Sequence, residues 1–424
     1  MASSAPGWIG RTGLALLFLA SAVVLAQEQK FKVLHTFHGP DGANPVGQLV
    51  RDRAGNFYST TANGGAGKCK GGCGTAFKID KTGKEVWLHS FSGKNGRGPS
   101  AGLLRDSAGN LYGTTTFGGA HCYGMGFPGC GVVFGLNKTG EETLLYSFTG
   151  APNGWFPEAL LVGDGAGNLY GTTINGGTFD NGGTVFKVDK NGKETVLYSF
   201  CSLSNCADGD SPYVGVIRDT TGNLYGVTRG GDFGAGVVFR LDTTGGETVL
   251  YSFTGGPDGG GPNSVLLADS KGNLYGMTEG GGNLNCAGGS GCGVIFELSP
   301  QSDGSWREAT LYTFCSLSNC TDGRYPYGGP LVLDAAGNIY GSTILGGAYY
   351  RNCAGDGCGV VFKLDTTGKE TVLHSFDGGA GGTYPWLGVM DASGNLYGAT
   401  GQGGDLNCAP NKGHGCGTLF KITQ

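Results

Sequence analysis

One ten-residue pattern returns along the chain and confines it to repeat architectures. Its copies read RDRAGNFYST, RDSAGNLYGT, GDGAGNLYGT, RDTTGNLYGV, ADSKGNLYGM, LDAAGNIYGS and MDASGNLYGA, with asparagines at Asn56, Asn110, Asn168, Asn223, Asn273, Asn338 and Asn395. The spacing runs from 50 residues (Asn223 to Asn273) to 65 (Asn273 to Asn338). A period of this size is one supersecondary unit, which buries its apolar faces only against copies of itself.

The unit reads as four strands. In Pro99 to Phe148, strand A is expected at Ala101 to Arg105 and strand B at Asn110 to Thr115, joined by an Asp-Ser-Ala-Gly turn. A looser segment with Gly118, Gly119, Cys122 and Cys130 leads to strand C, Gly131 to Leu136. The turn Asn137 to Glu141 then gives strand D, Thr143 to Phe148. Four short strands in a meander make a propeller blade. The chain enters on a lone strand D, Lys32 to Phe37, and ends on a lone strand C, Gly417 to Ile422. The fold class that follows is all-β: a seven-bladed β-propeller of four antiparallel strands per blade. The N-terminal strand completes the last blade, strand A lines the axis and strand D is outermost. The longest unit carries an enlarged C-to-D hairpin, Ser299 to Glu308, expected to project from the rim.

Glycine supplies 88 of 424 residues and charge only 14%, but the regular Val, Leu, Tyr and Phe positions between the glycines argue against disorder. A net charge of -5 without any cluster of Lys and Arg argues against nucleic acid and acidic membrane surfaces. Arg11 precedes an apolar run from Leu14 to Ala26 that closes on Val24-Leu25-Ala26, too short for the roughly 20 residues that span a bilayer. Residues 1–26 therefore read as a signal peptide cleaved after Ala26, with an uncleaved anchor as the alternative. Residues 27–424 read as one propeller domain in a secreted, periplasmic or cell-surface protein, with no integral membrane segment after cleavage.

The 14 cysteines form seven close pairs: Cys69/Cys73, Cys122/Cys130, Cys201/Cys206, Cys286/Cys292, Cys315/Cys320, Cys353/Cys358 and Cys408/Cys416. An even count in an exported chain reads as disulfides. Zinc is the rival reading, but it needs four converging ligands and no CxxC pair is present. Neither a metal nor a cofactor is expected.

The tandem pattern DxxGNLYGTT, GGxVFKLD and GxETVLYSF, covering about Phe31 to Gln424, resembles the GloVer repeat of exported bacterial proteins. The resemblance implies an extracellular repeat protein and carries over no catalytic or binding residue.

In such a meander the A-to-B and C-to-D turns share one face, and the B-to-C and D-to-A loops share the other. The second face collects every cysteine pair and most of the length variation, so a site is expected there, near the axis. A residue common to all seven units is explained by the blade, whereas a site should appear where units differ. Tyr58, Tyr112, Tyr170, Tyr225, Tyr275, Tyr340 and Tyr397 are thus inter-blade packing, and the aspartates from Asp52 to Asp391 that open the DxxGN turns accept turn amides, with calcium as the minor alternative. His35, His89 and His374 fill the slot of Tyr146, Tyr198, Tyr251 and Tyr312, so they read as outer-strand side chains.

Six D-to-A loops carry an Asp-Gly or Asn-Gly turn before a proline, and the residues around the prolines differ from blade to blade. Trp155, Phe156, Tyr213, Asn263, Tyr325, Tyr327, Tyr384 and Trp386 are the expected binding residues at the channel mouth. Rings beside amides and carboxylates suit a glycan or an extracellular protein segment. A plain plug of the channel is the alternative. Glu158, Asp210, Arg229 and Glu279 are the weak catalytic candidates for a polysaccharide hydrolase or lyase, because paired carboxylates perform acid/base work when one pKa is raised. An Arg229 to Glu279 bridge between blades would account for half of that set. With no G-x-S-x-G, HExxH or P-loop, a binding module leads, an enzyme is second and a structural surface protein third.

Overall fold

The computed structural model describes residues 1, 30–46, 48–122, 128–327, 329–349 and 351–424. The expected leader lies outside the described residues. Seven antiparallel sheets form the described chain, and blade 2 shows the plan: Leu104–Arg105, Leu111–Thr115, Val132–Leu136 and Glu142–Ser147 pair in that order as strands A to D. Blade 1 occupies residues 43–90, and blades 3 to 6 occupy residues 162–199, 217–252, 260–313 and 332–375. Blade 7 joins Thr383–Met390, Leu396–Gln402 and Thr418–Thr423 to the N-terminal strand Lys30–Thr36. Lys30 faces Thr423 and Thr36 faces Thr418, so the outer strand of the last blade comes from the start of the described chain. The fold is therefore the expected all-β, seven-bladed propeller. Among the described residues no helix is long and apolar enough to cross a membrane.

Aromatic pairs hold neighbouring blades together. The phenylalanine that ends strand D of one blade meets the phenylalanine of strand C in the next. Phe91–Phe134, Phe148–Phe186, Phe200–Phe239, Phe253–Phe296, Phe314–Phe362, Phe376–Phe420 and Phe37–Phe77 have centroids 4.9 to 5.3 Å apart. All are within 1% of full burial, and each such pair contributes about 0.5–1.5 kcal/mol beyond area burial. Every strand-B tyrosine donates its hydroxyl to the aspartate of its own DxxGN turn, at 2.9 to 3.3 Å. Tyr58 and Tyr340 also pack into the core of the next blade.

All seven cysteine pairs are disulfides, and no described cysteine is free. The sulfurs of Cys286, Cys292, Cys315 and Cys320 lie within 4.8 Å of one another, but as two disulfides they offer no thiolate to a metal. Seven disulfides fit an oxidising, extracellular compartment.

Strand A departs from expectation. Its ladder in blade 2 is only Leu104–Arg105, whereas Ala101 to Gly102 face the axis. Pro99 has no N–H to give a ladder, and the seven A segments crowd together around the channel. The hairpin between strands C and D of blade 5 extends its pairing to Pro300 opposite Trp306.

Half-buried carboxyls at the outer seams give a pH signature. Burial pushes Glu194, Glu247 and Glu370 from 4.5 up to about 7, aided by the nearby Asp208 at Glu247 and Asp322 at Glu370, and opposed by hydrogen bonds from Asn153 and Tyr146 at Glu194. Their contribution is present below the ordinary glutamate value and is lost as pH rises through about 7. At Asp164 and Asp219 burial raises the pKa, but turn hydrogen bonds outweigh it and hold the carboxyls at about 2. That stability is present above the ordinary aspartate value and is lost as pH falls towards about 2. The melting temperature, followed by calorimetry across acid to mildly alkaline buffers, is expected to peak near pH 4–5 and to fall towards pH 8. A flat or rising profile between the peak and pH 8 contradicts this assignment.

Candidate functional site

A repeated backbone device aims one residue per blade at the axis. The residue before each of Pro45, Pro99, Pro157, Pro212, Pro262, Pro326 and Pro385 has positive φ: Asn44 56°, Gly98 64°, Phe156 60°, Ser211 55°, Gly261 61°, Tyr325 55° and Tyr384 57°. A non-glycine residue in this region costs on the order of 1–3 kcal/mol, so surrounding contacts must hold it. They do so across the blade boundary. The N–H of each donates, at 2.7 to 3.1 Å, to a carbonyl just before strand C of the preceding blade: Cys416, Cys73, Cys130, Gly182, Ala235, Cys292 and Cys358 in that order. Five acceptors are the second cysteine of a B-to-C disulfide, which fixes the carbonyl in place. The glycine after each acceptor lies flat against the next blade's proline. A Cβ on Gly131 (φ 98°) would come within 2.5 Å of Pro157 Cδ.

The residue after each proline then faces the channel. Val46, Ser100, Glu158, Tyr213, Asn263, Tyr327 and Trp386, one from each blade in turn, line a cavity of about 400 Å³. Two positions deeper, Gln48, Gly102, Leu160, Gly215 and Val265 narrow it, and Asn44 and Asn63 contribute at the mouth. Asn44 is held by donating to Gly401 O at 2.7 Å and accepting from Asn63 and Asn411 at 3.0 and 2.6 Å.

Chemically the ring is one-sided. Tyr327 and Trp386 meet edge to face with centroids 5.7 Å apart. The Arg229 guanidinium sits 4.8 Å from the centre of the Tyr213 ring and forms an ion pair with Glu279, whose other oxygen accepts from Asn263 at 3.3 Å. Burial pushes the Tyr327 phenol up, with Asn263 and Arg229 opposing and Glu279 and Glu158 adding to the rise. Burial likewise pushes the Glu158 carboxyl above its ordinary value, offset in part by a hydrogen bond from Thr116. The indole N–H of Trp386 and the Oε1 of Gln48 are buried without a hydrogen-bond partner.

Of the residues singled out by sequence, Tyr213, Asn263, Tyr327, Trp386 and Glu158 line this cavity together. Trp155 does not: it is buried among Phe148, Leu161 and the Cys122–Cys130 disulfide. Phe156, Tyr325 and Tyr384 occupy the left-handed position two residues upstream of the cavity-lining one; Phe156 packs on Phe117 at 5.2 Å, and Tyr325 lies beneath Arg324 at 5.8 Å. Arg229 and Glu279 bridge blades 4 and 5 beside a smaller cavity, and Asp210 pairs its backbone with Gly230. Sequence reasoning passed over Asn44, Val46, Gln48, Asn63 and Ser100. The position after the proline, compared across all seven units, identifies Val46 and Ser100; nothing in the pattern marks Gln48.

The sequence matches the Gloeobacter/Verrucomicrobia repeat over residues 22–206, 69–289 and 284–424. The chain belongs to that family. No curated protein matches it. Among solved structures, the extracellular domain of a protein described as a one-component system from B. thetaiotaomicron is 14% identical over 93% of this chain and 40% of its own, with a TM-score of 0.49. A luciferin-regenerating enzyme is 14% identical over 76% of this chain and 90% of its own, at 0.44. A gluconolactonase from Xanthomonas campestris is 14% identical over 69% and 78%, at 0.39. Similarity at this level leaves function to the residues of this repeat protein itself.

Proposed function

We propose that this repeat protein is an exported binding module that takes the end of a glycan chain into its axial cavity, on the face bearing the disulfide loops. One observation carries the reading. Seven positions that are equivalent in the repeat, and held by the same backbone lock, present six different kinds of side chain to a single cavity. A blade needs none of that variety. Three rings offer apolar faces to sugar C–H groups, while Glu158, Asn263, Ser100, Gln48 Oε1 and Trp386 Nε1 supply hydrogen-bond partners. The indole N–H and the amide oxygen lie at the cavity wall, where a ligand reaches them.

Glycan-array binding followed by calorimetry on the hits tests this. Trp386→Ala and Tyr327→Ala are each expected to weaken affinity by about 2 kcal/mol or more, as buried aromatic anchors do. Unchanged affinity in both variants removes the cavity as the site. Capture of proteins alone would assign the surface to a protein partner.

The raised Glu158 carboxyl supports a second reading, acid catalysis of polysaccharide cleavage. It lacks a free carboxylate partner, because Glu279 is engaged by Arg229 and Asn263. Release of sugar ends from a polysaccharide panel, lost in Glu158→Gln, would favour it.

A further inference from the structure

We propose that the axial cavity selects saccharides bearing a free ammonium group, that is, glycans with unacetylated amino sugars. This rests on the glycan reading above and adds the charge of the ligand.

Among the described residues Glu158 is the one acidic side chain lining the cavity, and no Lys, Arg or His lines it. Arg229, beside the Tyr213 ring, is engaged by Glu279, so its charge is answered at the rim. The cavity therefore carries one carboxyl with no cationic side chain beside it among the described lining residues. A half-buried carboxylate answered only by the Thr116 hydroxyl is costly to ionise, and a ligand cation offsets that cost where a neutral ligand cannot. Burial already pushes Glu158 towards its neutral form; a cation entering beside it restores the ionised one.

The aromatic members of the same ring agree with the carboxyl. Tyr213, Tyr327 and Trp386 turn three aromatic rings to the same space, and ring faces attract ammonium groups, Trp most strongly. Gln48 Oε1, buried at the cavity wall, accepts only from an N–H or O–H donor, which an ammonium group supplies. Trp386 Nε1 requires an acceptor, which a sugar hydroxyl or ring oxygen provides. An ammonium on a polyhydroxylated ring meets all three demands together. An acidic sugar would place a second carboxylate against Glu158. An N-acetylated sugar removes the cation and leaves Glu158 unanswered.

Calorimetry of the full chain with short linear oligomers of glucosamine, N-acetylglucosamine and glucose tests the proposal, with a methylated-lysine peptide as a fourth probe. The glucosamine oligomer is expected to bind at least about tenfold more tightly than the other two saccharides. Glu158→Gln, close in shape to the native side chain, is expected to abolish that preference, so that on this variant the glucosamine oligomer binds no more tightly than the glucose oligomer. Equal or tighter binding of the acetylated or neutral oligomer overturns the ammonium assignment and leaves the glycan reading standing. Binding of the peptide alone assigns the ammonium to a protein and overturns the saccharide class. If no probe binds, both readings fail.

Discussion

Removal of residues 27–37 is expected to abolish the cooperative monomeric fold. The segment supplies the outer strand of blade 7, and its loss exposes the whole edge of Thr418–Thr423. An exposed strand edge is a template for association. The loss is also one of packing. Phe37 is 1% exposed and meets Phe77 of blade 1 at 5.2 Å, so it closes the seam between last and first blades. Phe31 stacks on His374 at 3.9 Å and meets Phe376 at 5.6 Å, tying the same strand to blade 6. Truncating one such phenylalanine to alanine costs about 3–5 kcal/mol, a large share of the 5–15 kcal/mol typical of a domain. The truncated chain is expected to elute as aggregate in size-exclusion chromatography and to lose its thermal transition. A peptide spanning residues 27–38, added in trans, is expected to restore part of both. An unaltered monomer with an unaltered transition would show that the ring closes without this strand.

The same strand shows why the architecture was legible before coordinates. A lone strand D at one end and a lone strand C at the other have only one arrangement that leaves no open edge, and the glycine-led turns fixed seven units between them. The disulfides were legible because each pair is close in sequence, so local chain geometry settles the partner. The site was legible only in part. Comparing units at the position after the proline locates Tyr213, Asn263, Tyr327 and Trp386, since a repeat converts a sequence position into a place in space. Trp155 misled because it lies three residues before Glu158, an odd offset that puts the two on opposite sides: Glu158 faces the channel, while Trp155 turns into the blade. Gln48 was not legible, since its meaning depends on a buried oxygen left without a partner.

Substitution of a single methyl at Gly131 is expected to destabilise the protein far more than the same change at Gly165. At Gly131 the backbone has φ 98°, and the added Cβ would press on Pro157 Cδ at 2.5 Å and on the carbonyl of Thr115. Neither neighbour can yield freely. Thr115 is in strand B, and Pro157 follows Phe156, whose N–H is held by the Cys130 carbonyl at 3.0 Å. Strained φ and overpacking together cost about 2–4 kcal/mol. At Gly165 a Cβ meets nothing within 4 Å, so Gly165→Ala is expected to stay within about 0.5 kcal/mol of the parent. Denaturant unfolding of the two variants measures the difference, and equal midpoints would show that the glycine–proline contact does not lock the blades. The effect should reach the cavity as well, because Pro157 sets the position of Glu158. Gly131→Ala is therefore expected to weaken ligand binding under conditions where the variant is still folded, whereas Gly165→Ala leaves it unchanged.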